Sequence, residues 1–192
     1  QMCIRDSFYT NGLLGSRKSQ TYSNFNDFMY NLSYWSSWSN GFNIWKSEFD
    51  KIDKNLKLNK LFPHTSLFLT QHQAKLFCIN DNLLFDVQRI PKRGGHNKFE
   101  AFTIEYPSLL DECCKKGHIS TKCKKHILFG IMVQFLPSLL FNKYIIRIET
   151  FDDTGFRDNL KKYYPSYAYW LVLISVLGVP FRLFCRKLKN KR

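Results

Sequence analysis

Apolar and polar positions divide the chain into three stretches. From Tyr163 to Phe181, nineteen residues run without a charge (YYPSYAYWLVLISVLGVPF). As a helix they would rise about 28 Å, close to the roughly 30 Å of a bilayer's hydrocarbon core. A second uncharged run, Ile127–Phe141, is shorter and carries Gln134 and Pro137. It reads as one or two buried strands, followed by the alternating strand Tyr144–Glu149; the alternative is a second span forming a hairpin with the first. Upstream, Trp45, Phe49, Ile52 and Leu56 recur at helical spacing with lysines off the stripe. That spacing predicts an amphipathic helix over 44–60.

Beyond Pro63 the alternation becomes strand-like. Ser66–Thr70, Lys75–Ile79, Leu83–Gln88 and Lys98–Tyr106 read as short strands, with Asn80-Asp81-Asn82 as a hairpin turn and 91–97 as a basic loop. Residues 8–43 show little periodicity and read as loop anchored by Trp35, Trp38 and Phe42. The fold class expected is α+β: a small, mainly antiparallel sheet with one amphipathic helix, followed by a C-terminal transmembrane helix.

Met2-Cys3-Ile4-Arg5-Asp6-Ser7 looks like a translated transposase adapter from sequencing-library preparation. Residues 1–7 are therefore expected to be an adapter-derived artefact and the true N-terminus to be truncated. Four regions follow: 1–7, a membrane-proximal α+β domain over 8–162, a transmembrane helix over 163–181, and a basic tail over 182–192.

Composition adjusts this picture in one respect. The 192 residues carry 29 Lys+Arg against 15 Asp+Glu, a surplus suited to nucleic acid or anionic lipid. Yet 20 Lys, 18 Phe and 14 Asn stand beside 3 Ala, the skew that A/T-rich codons produce, so bulk charge alone selects no partner. Local charge is more telling. Tyr163, Tyr167 and Trp170 crowd one end of the apolar run as an interfacial belt would, and Arg182, Arg186 and Lys187 open a tail without an acid. These six residues are the expected membrane anchor, with the tail cytoplasmic at an endomembrane or plasma membrane. The expected partners are the bilayer, its anionic headgroups at the tail, and a protein of unknown identity. Nucleic acid is not favoured, because aromatic residues do not flank the lysines. Cys185, just inside the boundary, reads as a free thiol or a palmitoylation site, and Asn31-Leu32-Ser33 is a glycosylation sequon.

Candidate chemistry is thin. Cys113, Cys114, His118, Cys123 and His126 form the one metal-like grouping, with spacing that matches no standard finger. Unpaired thiols, a disulfide to Cys123 and zinc all remain open. Asp153-Thr154-Gly155 matches the catalytic loop of aspartic proteases, where paired carboxylates activate water. Asp152 and Phe156 depart from that pattern, and an Asp/Gly turn reads better. No cofactor is expected, and enzyme function is not supported. The leading expectation is an integral membrane protein with a non-enzymatic binding or scaffolding domain. The alternatives are a membrane-tethered aspartic-type hydrolase using Asp153 in a dimer, and a soluble basic nucleic-acid-binding protein.

Gly155-Phe156-Arg157-Asp158-Asn159-Leu160, then Tyr169-Trp170 and Pro180-Phe181-Arg182-Leu183, resemble the end of the transmembrane protein 151 family. Glu105-Tyr106-Pro107 with Asp111-Glu112 is similar to another of its stretches. The resemblance implies an aromatic-led membrane segment closing in a Pro-apolar-Arg-apolar motif, and a cytoplasmic preceding domain. It implies no site residues.

Overall fold

The computed structural model describes residues 6–39, 41–84 and 97–190. These fall into two compact units, one from 6–84 with 108–127 and the other from 97–107 with 128–190.

The first unit is built on a four-stranded sheet of order β2-β4-β1-β3: β1 (Asp6–Tyr9), β2 (Ser19–Tyr22), β3 (Phe42–Ile44) and β4 (Phe77–Asn80). The central pair β1/β4 is parallel, with Phe8 opposite Ile79, while β3 and β2 add antiparallel edges. The sheet is thus mixed. Strands of three or four residues are too short to show a period of two, which is why 8–43 reads as loop. The backbone ladder, not a side-chain pattern, places them, and Asp6 and Ser7 join it.

Helix α1 (Phe25–Leu32) is started by Asn24, whose side chain accepts the Asp27 N–H. It packs Phe25 and Phe28 against the sheet, and Phe28 stacks on Phe77 at 5.0 Å. Phe25 meets Phe68 at 5.8 Å and Phe77 at 5.5 Å. With Phe8 these rings form the core, in the stacked, tilted and edge-on geometries open to aromatic pairs. Gly41 lies so close that a Cβ there would stand 2.3 Å from the Phe8 ring and 2.7 Å from Tyr9 O.

Several expected elements differ. The helix over 44–60 shrinks to α2 (Lys46–Phe49). Asp53 takes the Asn55 N–H on its own carboxylate at 2.9 Å, a local turn that competes with helix. Ser66–Thr70 lies largely in helix α3 (Pro63–Leu69), not a strand. Its start is fixed by Pro63 in the first turn and by Asn59 Oδ1, which accepts from Leu61 N and Phe62 N. The Lys75–Ile79 strand stands, shifted, as β4. The expected hairpin at 80–82 is not formed, because both edges of β4 are taken by β1 and β2; most of Leu83–Gln88 and all but Asn97 of the 91–97 loop lie outside the described residues.

The remaining chain is mostly helical, where one helix and more strands were expected. Residues 98–115 form α4, not a strand, with Asn97 Oδ1 capping Phe99 N and Glu100 N. Thr121–Ile145 is a 25-residue helix, α5, which replaces the buried strands expected over 127–149. Both helices contribute residues to both units. In the second unit follow α6 (Phe156–Tyr163), α7 (Ala168–Val176) and α8 (Val179–Asn190). The α+β class therefore holds, with a larger helical share than the sequence suggested.

Candidate membrane-facing surface

Two prolines organise the second unit. Helix α4 passes through a π turn at Ala101–Glu105, where Tyr106 N–H reaches back five residues to Ala101 O. The next bond of that register would run to Phe102 O from residue 107, but Pro107 has no N–H. Tyr164 Oη donates to this carbonyl at 2.6 Å. Pro137, just after a second π turn at Ile131–Phe135, likewise has no N–H to give the preceding turn, and Arg182 Nη1 donates to Val133 O in that turn. Arg182 Nη2 donates to Ser175 O at 3.2 Å. A side chain from the C-terminal segment thus donates to a carbonyl in the turn before each proline. Such pairing matters, because an orphaned buried carbonyl costs about 1–3 kcal/mol.

The apolar run Tyr163–Phe181 is not one helix. Tyr163 ends α6, Tyr164 is buried, and α7 begins at Ala168. A second break at Leu177-Gly178 bends α7 and α8 by 53°. Trp170, Ile174, Leu177, Phe181 and Phe184, spaced four, three, four and three, are all exposed, with Leu177 at 81% and Phe181 at 71%. Ala168, Val172 and Val179 on the other side are buried. Among the described residues α5 is long and apolar enough to cross a membrane, and half of that apolar window is buried inside the protein; α7 with α8 reaches such a length only as the bent pair.

Of the expected anchor residues, Tyr167 and Trp170 stand outside, at 60% and 58% exposure, and Tyr163 is half-buried. Arg182 is spent on carbonyls within its unit. Arg186 and Lys187 fall in α8. Cys185 is a half-buried free thiol beside them.

Asp153 is occupied with structure. It accepts from Lys143 Nζ at 2.6 Å and from Tyr144 Oη. Burial alone would raise its carboxyl, but these two donors hold it below the usual range. Asp152 takes the Thr154 N–H and hydroxyl, and Gly155 adopts positive φ, so Asp-Thr-Gly forms a turn into α6.

In the first unit, the Cys/His grouping is dispersed. His118 stacks on His72 with centroids 3.5 Å apart, and His126 on Tyr30 at 3.9 Å. The Cys123 thiol donates to Asn26 O at 3.6 Å. Burial pushes the Cys113 thiol up to about 12, opposite to the shift a metal-binding or reactive thiolate needs. Cys113, Cys114 and Cys123 are free thiols, and among the described residues no three His, Cys, Asp or Glu side chains are placed to hold a metal ion.

Sequence reasoning missed the role of Asp81. It is fully buried and accepts from Thr10 Oγ1 (2.5 Å), Leu14 N, Ser16 N, Ser16 Oγ and Arg17 N. The loop it binds visits positive φ at Asn11, Gly12, Gly15 and Arg17, which turns these donors inward. The available signal was the Asn-Gly and Gly-Ser punctuation at 11–16. An open cleft of about 460 Å³, lined by Glu48, Lys51, Ile52, Leu56, Thr70 and Gln71, also lies in this unit. No protein-family model, curated protein or solved structure matches the chain.

Proposed function

We propose that this chain is an integral membrane protein with a non-enzymatic binding or scaffolding role, held at a bilayer through residues 163–192. The observation that carries the reading is the exposed apolar stripe on α7–α8, flanked by Tyr167 and Trp170 before it and by cations after it. Contiguous apolar surface of this kind marks a membrane or partner contact in proteins, and aromatics at the boundary favour the membrane. The acid-free tail from Arg186 to Arg192 sits on the cytoplasmic side, where each cation near an anionic surface adds about 1 kcal/mol. Alkaline carbonate extraction of membranes from expressing cells tests the reading: the protein stays in the pellet, and its release into the supernatant overturns the proposal.

A further inference from the structure

Resting on that membrane reading, we propose that α7–α8 docks into a single leaflet of an anionic bilayer and does not cross it. Length supports this first. The nine residues of α7 rise about 13.5 Å. Val179–Cys185 adds about 10.5 Å along a second axis turned by 53°, so the rise of the two helices sums to about 24 Å, short of the roughly 30 Å hydrocarbon core. Beyond Cys185 the sequence turns at once to Arg186 and Lys187.

The distribution of exposure is the second support. A crossing helix at the edge of a small bundle exposes apolar residues over a full bilayer's height. Here Trp170, Ile174, Leu177, Phe181 and Phe184 are exposed on both sides of the bend, with Leu183 beside them, while Ala168, Val172 and Val179 are buried in the unit's core. In this α8 resembles an amphipathic segment lying in an interface, whereas α7 is apolar on every side and is one-sided only in what it exposes. Arg182 adds a third support. From α8 its guanidinium reaches across the break to Ser175 O of α7 and also to Val133 O of α5, which ties the bend to α5 and resists straightening into a span. The cations that remain for headgroups follow Cys185, with no acid among them. Charge complementarity therefore selects anionic lipid over a second copy of this chain, whose own tail would bring like charge to the same face.

The test uses the full chain added to sealed phosphatidylcholine vesicles with and without phosphatidylserine. Flotation reports binding. Membrane-impermeant maleimide reports sidedness, on Ser166→Cys and Asn190→Cys in a background in which Cys3, Cys114 and Cys185 are replaced by Ser and the parent background gives the blank. The chain floats with phosphatidylserine vesicles and at least about tenfold less without it. Both introduced thiols label from outside to the level reached in detergent. Leu177→Glu or Phe181→Glu lowers flotation about tenfold or more, with helix content unchanged by circular dichroism. Protection of either thiol until detergent is added shows a crossing segment and overturns the proposal. Equal binding to both vesicles removes the anionic requirement and also overturns it. If Phe181→Glu changes oligomeric state but not flotation, the stripe belongs to a second copy. Failure of the unmodified chain to float, with release in carbonate, sinks the membrane reading itself.

Discussion

The sheet unit and the helical unit treat their large apolar side chains in opposite ways. In the sheet unit Phe8, Phe25, Phe28, Phe68 and Phe77 are all enclosed, and exposed apolar residues such as Trp45 and Phe49 are scattered. Its buried polar groups find partners inside, as Asp81 does. In the helical unit α5 is enclosed at Ile131, Met132, Leu136, Leu139 and Leu140, yet α7–α8 turns its longest apolar stripe outward. The first pattern suits a body surrounded by water. The second suits a body with one apolar side to its surroundings, which is what the membrane proposal supplies.

Emptying the sheet unit's core tests whether the two units stand apart energetically. Phe28→Ala removes the ring stacked on Phe77 and is expected to cost about 3–5 kcal/mol. Hydrogen exchange read by peptide then shows faster exchange across 6–82 and 108–127, with 128–145 and 156–190 retaining protection. Equal loss of protection in both sets shows that the units do not stand apart energetically.

Next in size is Asp81→Ala, expected to cost about 3 kcal/mol by stranding the donors of Thr10, Leu14, Ser16 and Arg17. Burial alone would raise the Asp81 carboxyl, but those hydrogen bonds hold it below its ordinary value. A depressed folded-state value means this stabilisation is present above the unfolded carboxyl's pKa of about 3.9. It is lost as pH falls through the folded value. Urea midpoints measured from neutral pH into acid therefore fall less steeply in the variant than in the parent.

What the sequence disclosed follows from length and chemistry. The apolar C-terminal run, its aromatic lead and its cationic end are properties of composition along the chain and were legible. The bend inside it was not, since Gly178 and Pro180 are also tolerated near the end of a continuous membrane helix. Over 98–106, Phe102, Ile104 and Tyr106 alternate as a strand would, and Pro107 argues against helix. Asn97 followed by Glu100 was the competing signal, a helix start, and it prevailed. The helix runs through a π turn into Pro107, and a distant tyrosine donates to Phe102 O there. Pairings such as Tyr164 with Phe102 or Asp81 with Ser16 span many residues, and no local pattern encodes them.

Within the helical unit, Tyr164→Phe isolates one such pairing. It keeps the ring and deletes the hydroxyl that donates to Phe102 O, so about 1–2 kcal/mol is expected. Faster exchange confined to 101–107 and 160–168 checks it. No local change there would mean that the π turn does not depend on the C-terminal segment, and would weaken the claim that prolines organise this unit.

The smallest effect lies at the His72–His118 stack, again in the sheet unit. Burial lowers the His118 pKa, and the neighbouring His72 and Lys116 act in the same direction. The folded state therefore favours the neutral ring, and the unfolded chain takes up its proton first as pH falls. The stabilisation is complete above the unfolded histidine value of about 6.5 and declines as pH drops through the lower folded value. The urea midpoint of the sheet unit, followed by exchange of 108–120, should fall slightly between neutral pH and pH 5. His118→Gln removes the titrating ring and flattens that slope. If the slope survives unchanged, the stack is not its source, and the parallel rings only fill space between residues 72 and 118.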